Sequence, residues 1–198
     1  MIAILDYGSG NLRSAQRAFE LAAKNVVVTR DAKTCSEATA LIVPGVGAFA
    51  ACMEQLIEVG GAEIIADRVE KARPIFGICV GMQILFQSSS EKKETQGLGI
   101  LPGDISALNA SVLPHMGWNT VSASPTSKLF QGVEDESFYF VHSYAAKKPV
   151  PDAVNTLTNY GEDFLAAVER DFIVATQFHP EKSGAAGAKL ISNWAATL

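Results

Sequence analysis

The sequence predicts an α/β fold: an open, mixed but mostly parallel sheet with helices on both faces. Three observations predict it. Short apolar runs such as Leu41-Ile42-Val43 and Pro74-Ile75-Phe76-Gly77-Ile78 are continuous rather than alternating, as in strands buried on both sides. Helical periodicity fills the stretches between them. Beyond Glu91 the texture changes to many strand-like runs separated by Gly, Pro and Asn, which reads as antiparallel additions at the sheet edge.

Taken in order, Ile2 to Asp6 forms a first strand that stops at the turn Gly8-Ser9-Gly10-Asn11. A helix follows over residues 12–23, then the β-rich run Val26-Val27-Val28-Thr29. Leu41 to Val43 is a strand halted by Pro44-Gly45-Val46-Gly47, with helices expected over residues 48–59 and 63–73. The next strand delivers Cys79, and Met82, Ile84, Leu85 and Phe86 mark a helix behind it. Ser137 to Val141 is one of the later strands, Val174 to Phe178 another, and residues 189–195 form a closing helix. There is no internal repeat and no dividing linker, so residues 1–198 are expected to be one domain.

Composition narrows the function. The 198 residues are 48% hydrophobic and carry a formal net charge of −5, without a basic stripe, which argues against nucleic acid or an anionic membrane as partner. The longest apolar stretch, residues 75–86, is too short for a membrane span and contains two glycines. The N-terminus lacks a basic signal-peptide region. Cys35, Cys52 and Cys79 form no disulfide set and no metal-type spacing, so no metal or cofactor is expected and a reducing cytoplasm fits.

The chemistry concentrates in Gly77-Ile78-Cys79-Val80-Gly81-Met82-Gln83. A nucleophile on a sharp strand-to-helix turn needs small neighbours, because the backbone is strained and the reacting carbonyl must approach closely. The turn also aims N–H groups and a helix N-terminus at the thiol, favouring the form that attacks. G-x-C-x-G is thus a thiol version of the serine elbow. Cys35 and Cys52 read instead as small buried hydrophobes.

A second motif, Gln177-Phe178-His179-Pro180-Glu181-Lys182, sets a histidine at a strand end with a carboxylate two residues on: a base and the group that orients it. A surface histidine beside an unrelated glutamate is the plain alternative; paired with the elbow, the motif completes a Cys79, His179, Glu181 triad. Pro44-Gly45-Val46-Gly47 is either an ordinary turn or an oxyanion hole, with the Gly45–Val46 peptide reorienting cheaply and the Val80 N–H as second donor. Asp6-Tyr7-Gly8-Ser9-Gly10-Asn11 superficially suggests a dinucleotide loop, but Arg13 breaks G-x-G-x-x-G. His142 lies in an alternating strand and His115 in the apparent turn Pro114-His115-Met116-Gly117-Trp118-Asn119; both read as structural or interface residues. That turn exposes an aromatic, as a partner surface would. Ligands of open α/β sheets sit beyond the strands' carboxyl ends, so the motifs at residues 6, 44, 79 and 179 are expected at one rim.

With these residues the chain resembles class I, triad-type glutamine amidotransferases. The segments at 6–11, 44–49, 114–119 and Tyr139-Phe140-Val141-His142-Ser143-Tyr144 are similar to the branch of glutaminase subunits that serve histidine biosynthesis. The resemblance implies glutamine hydrolysis through Cys79, His179 and Glu181, with the substrate's amino-acid end near Gly47, Gln83, Glu91, Ser143 and Tyr144. A carboxylate at Glu91 also suits an α-ammonium group on physical grounds. It further implies that the ammonia passes to a TIM-barrel cyclase partner in a heterodimer, with Asn11, Trp118 and Lys182 at the interface. The small departures from the pattern, Ala175-Thr176 and Ala185-Ala186, touch none of this chemistry. Three other readings compete: a glutaminase for anthranilate or GMP synthesis, a freestanding γ-glutamyl hydrolase, and a non-catalytic regulatory module.

Overall fold

The computed structural model describes residues 1–23 and 25–198. Its first half alternates β1 (Ile2–Leu5), α1 (Leu12–Glu20), β2 (Val26–Thr29), α2 (Ala32–Glu37), β3 (Ala40–Gly45), α3 (Phe49–Glu58), α4 (Gly61–Glu70), β4 (Ile75–Cys79) and a one-turn α5 (Val80–Gln83). The second half runs β5 (Ser88–Ser89), β6 (Thr95–Gln96), β7 (Asp104–Ala107), β8 (His115–Thr120), β9 (Ser137–His142), β10 (Tyr144–Ala146), β11 (Val154–Asn159), β12 (Asp163–Arg170) and β13 (Ile173–Thr176). A 3₁₀ turn (Pro180–Lys182) and α6 (Gly184–Ala195) close the order.

The main sheet has seven strands in the order β11-β12-β13-β4-β3-β1-β2. From β2 to β13 every pairing is parallel, while β12 and β11 add antiparallel at one edge. The strands of β1, β3 and β4 are buried throughout, which is why their apolar runs do not alternate. From β1 the chain moves outward to β2, then returns across β1 to β3. Right-handed crossovers then place α1 on one face and α2, α3 and α4 on the other. On the α1 face, Phe19 meets Phe76 of β4 at 5.6 Å and Trp194 of α6 at 5.5 Å, both edge-on. The reversal beside β1 opens the crevice at the carboxyl ends of β1, β3 and β4.

Several expectations change. The antiparallel additions are only partly an edge: β10-β7-β5-β6 form a separate four-stranded sheet, and β8-β9 a two-stranded ribbon. β9 buries Phe138, Phe140 and His142 on one side only, the pattern of a strand laid against a core rather than within a sheet. Pro114 to Asn119 is not a turn, since residues 115–120 are β8, paired from His115–His142 to Thr120–Ser137. The helix expected through Phe86 stops at Gln83 because the following carbonyls are taken by another segment. The Leu98 N–H bonds the Ile84 oxygen, and those of Ile100 and Leu101 bond Leu85. Helix α2 is absent from the sequence reading, having six residues and one buried side chain, Cys35.

Candidate active site

The two glycines of the elbow are explained by close approach. A Cβ on Gly81 would lie 1.8 Å from the Val43 carbonyl oxygen, and one on Gly77 would lie 2.8 Å from the Gly81 oxygen. Their absence lets α5 press its backbone onto β3 and β4. Between them Cys79 has φ +56°, a strained conformation for a non-glycine residue and the mark of a nucleophile elbow. Val80 is the first residue of α5, so its N–H has no intrahelical acceptor.

The sheet register sets the partners. Gly45 pairs with Cys79 across β3 and β4, and Thr176 pairs with Ile78 across β4 and β13. The residues just past these pairs, Val46 and Gln177, therefore flank the nucleophile. Three residues past the end of β13, His179 is fixed by its backbone: its N–H donates to the Tyr139 oxygen at 2.9 Å and its carbonyl accepts from Ser183 Oγ at 2.6 Å. Gly187 allows α6 to seat on this turn, since a Cβ there would fall 1.9 Å from the Pro180 oxygen.

His179 Nδ1 donates to Glu181 Oε1 at 2.8 Å, with both side chains almost fully buried. That bond leaves Nε2 as the working nitrogen, and Nε2 has no partner among the described residues. Burial opposes charge on the ring, but the interactions with Cys79 and Glu181 outweigh it and push the imidazole up to about 10. Cys79 and His179 are neighbours whose charges couple, without an aligned hydrogen bond between them in this state.

A cavity of about 270 Å³ opens over the sulfur. Its lining includes Val46, Gly47, Cys79, Val80, Gln83, Glu91, Ser143, Tyr144, His179 and Lys182, so the expected substrate contacts converge here. Glu181 stands behind His179, and Gly45 lies beneath Val46. Glu91 also holds a helix end, since its Oε2 accepts the Phe49 N–H at 2.7 Å and caps α3, which has no side-chain cap of its own at Ala48. A larger cavity of about 510 Å³ lies at the opposite, amino-terminal end of β4 and β13, between Pro74, Glu169, Phe172 and Trp194; no cysteine or histidine lines it.

The Val46 N–H does not face the sulfur. It donates to Ser9 Oγ at 3.0 Å, while the Val46 carbonyl accepts from Ser9 Oγ at 2.9 Å and from Cys52 Sγ at 3.3 Å. Nothing in the sequence singles out Ser9, because its role is a bond to a peptide 37 residues away. Gln177 is likewise only part of a motif in the sequence, yet its amide Nε2 lies 3.8 Å from Cys79 Sγ. Of the expected interface residues, Lys182 lines the cavity, while Trp118 and Asn11 do not. Trp118 is 58% exposed and edge-packed on Tyr139, whose ring also lies 5.9 Å from Lys182 Nζ. Asn11 has a structural duty, capping α1 through Ser14 N–H at 3.3 Å. Met116 is exposed on the same face of β8 as Trp118, and Val112 and Leu113 are exposed just ahead of the strand, which the sequence does not suggest.

Among the described residues no cluster of His, Cys, Asp or Glu suits a metal ion, and no helix is long and apolar enough to cross a membrane.

An elbow cysteine, an oriented histidine and a parallel sheet of this order define a class of thiol-dependent amide-cleaving enzymes. The model of the class I glutamine amidotransferases matches residues 3–197, and the chain belongs to that family. Its relatives include imidazole glycerol phosphate synthase subunit HisH of Mycolicibacterium paratuberculosis, 54% identical over 98% of this chain and 96% of that protein. The subunit of the same name from Corynebacterium glutamicum is 50% identical over the same shares. Among solved structures, a glutamine amidotransferase superposes with a TM-score of 0.77 at 19% identity, covering 98% of both chains. PurLQS from Thermotoga maritima does so at 0.72 and 17%, covering 99% of this chain and 97% of the other. These two likenesses concern the fold.

Proposed function

We propose that Cys79, His179 and Glu181 perform the glutamine hydrolysis of the family, and that the chain is the glutaminase subunit of an imidazole glycerol phosphate synthase in histidine biosynthesis. The observation that carries the catalytic reading is a strained elbow cysteine beside a buried, glutamate-oriented imidazole whose Nε2 is free.

The Cys79 thiol gives its proton to His179 Nε2 and its sulfur attacks the side-chain amide carbon of glutamine, the carbonyl oxygen becoming an anion that faces the Val80 N–H. His179 Nε2 delivers a proton to the leaving nitrogen, and collapse expels ammonia and leaves a γ-glutamyl thioester. Water, deprotonated by the same nitrogen, cleaves the thioester to glutamate and regenerates the thiol. Glutamine and water are consumed; glutamate and ammonia are produced. Gly47, Gln83, Glu91, Ser143 and Tyr144 hold the amino-acid end, the Glu91 carboxylate answering the α-ammonium.

The second oxyanion donor is the Val46 N–H, which must leave Ser9 and turn toward the sulfur. Its present bond makes this a resting state, with the Gly45–Val46 peptide as the switch. Ammonia needs a guarded route, because in water it becomes ammonium and loses its nucleophilicity. The route is a TIM-barrel cyclase partner seated on the exposed apolar surface around Trp118, with Asn11 and Lys182 at its margin. Residues 1–198 then act as one amidotransferase domain of a cytoplasmic heterodimer, with no cofactor of its own.

Glutamate release by the chain alone, with a barrel cyclase, and with cyclase plus its nucleotide substrate tests this. Strong stimulation only by the last combination is expected. Full turnover by the isolated chain, or stimulation by an anthranilate or GMP synthase component instead, would overturn the pathway assignment.

A further inference from the structure

Gln177 is fully buried, and its side chain ends on the nucleophile rather than in the core packing. Which end of the amide meets the sulfur is decided several residues away. The Tyr144 carbonyl can only accept, so Gln83 must present Nε2 to it, at 2.8 Å. The same Nε2 donates to Gln177 Oε1 at 2.9 Å. With its oxygen occupied in this way, Gln177 can only turn its NH₂ toward Cys79 Sγ.

The Tyr144 carbonyl is itself held from behind. His142 Nδ1 donates to it at 3.0 Å, so His142 Nε2 is an acceptor and takes a hydrogen bond from His115 Nδ1 at 3.2 Å. His115 Nε2 in turn faces the Asn119 Nδ2 amide at 3.4 Å. Both rings are buried among Phe140, Tyr160 and Phe164 and are kept neutral, burial being the chief cause. Donors thus converge on the Tyr144 carbonyl from both sides, His142 from β9 and Gln83 from α5, and because that oxygen can only accept, it fixes the sense first of Gln83 and then of Gln177.

We propose that Gln177 is a further catalytic residue, its side-chain N–H donating to the Cys79 sulfur and favouring its anionic form, with Gln83 as the positioning residue that sets the sense of the amide and His142 and His115 as positioning residues that hold the Tyr144 carbonyl against Gln83. The proposal rests on the reading of Cys79 as the nucleophile. A hydrogen bond to the charged form of a group favours that form. The titratable groups around the sulfur are His179, Tyr7 and Cys52, with Glu91, Lys182, His142 and Tyr144 lining the cavity above it; Gln177 is the side-chain amide within hydrogen-bond reach of the sulfur, a neutral donor that cannot lose its proton in the working range.

The test is the rate of Cys79 alkylation by iodoacetamide in the full chain, followed by peptide mass across pH 5 to 10, which needs no glutamine turnover. In Gln177→Met the profile should move to higher pH, with the rate near neutrality about tenfold lower and the rates converging at high pH. Gln177→Glu should move it further, since a carboxylate oxygen then faces the sulfur. His142→Phe should produce a smaller shift in the same direction. Profiles of Gln177→Met and wild type that superimpose would overturn the proposal. If these variants do not fold, the wild type still answers: the Gln177 side-chain amide protons should follow the Cys79 titration by NMR and cease to do so in Cys79→Ser. An amide signal indifferent to that titration also overturns it. Alkylation that behaves as expected while glutamine is not hydrolysed would leave this assignment standing and remove the glutaminase reading.

Discussion

Two segments face each other across the carboxyl end of β4, and they are held in opposite ways. On the β13 side, His179 is anchored by its own backbone, by Ser183 and by Glu181, and its reactive nitrogen is left open. On the β3 side, Val46 is tied by Ser9 and Cys52 with its N–H away from the sulfur. On the proposed mechanism, the proton-transfer machinery is built in advance, while one half of the charge-stabilising machinery is stowed. In that mechanism the difference locates control not in the nucleophile or base but in the Gly45–Val46 peptide, whose N–H rests on one ordinary side-chain contact, Ser9 Oγ. A neutral hydrogen bond contributes about 1 kcal/mol net, small enough for a partner to overcome.

The largest effect should come from breaking the prepared side. Cys79→Ala should abolish glutamate release, by a factor of about 10⁴ or more even with partner and nucleotide present, without loss of folding. Glu181→Gln keeps the size but not the charge, and should lower kcat by roughly 10²- to 10⁴-fold, as loss of an orienting carboxylate does in other triads. Steady-state kinetics at saturating glutamine checks it. On the stowed side the sign reverses. Ser9→Ala frees the Val46 N–H and should raise the partner-free rate by about tenfold or less, one hydrogen bond's worth, while leaving the stimulated rate nearly unchanged. A fall in the basal rate with folding intact would refute the latch.

The smallest effect is on stability against pH. His142 and His115 are lowered from 6.5 to about 3 and about 4 by burial, so below pH 6.5 the unfolded chain binds protons that the folded chain refuses. Stability should fall as pH drops from 6.5 toward 4. His179 acts oppositely: raised to about 10, it contributes fully below pH 6.5 and its contribution is lost as pH rises through about 10. Thermal melts across pH 4 to 10 should show both limbs, and His142→Asn should flatten the acid one.

The legible parts of this chain are those whose signals are local. β1, β3 and β4 announce themselves as apolar runs because both of their faces are covered, and the elbow and the His-Pro-Glu turn each carry their chemistry within a few residues. The strand at residues 115–120 reads as a turn because Pro114 and Gly117 look like turn residues, and only pairing with β9 makes it a strand. Helix α2 buries too little to show a period. Ser9 and Gln177 escape for a different reason. What they do depends on which strands lie side by side, and register between β3, β4 and β13 is not written in any one segment.

The contact between Gly81 and the Val43 carbonyl has a mechanical consequence. Backbone against backbone at that distance leaves no room for α5 to slide along β3, so the elbow and its neighbouring strand move as one rigid frame. The proposed activation is then the turning of a single amide plane on a fixed mount. Its signature should be spectroscopic and confined to a few amides near Val46, with no change in the overall dimensions of the molecule in solution scattering.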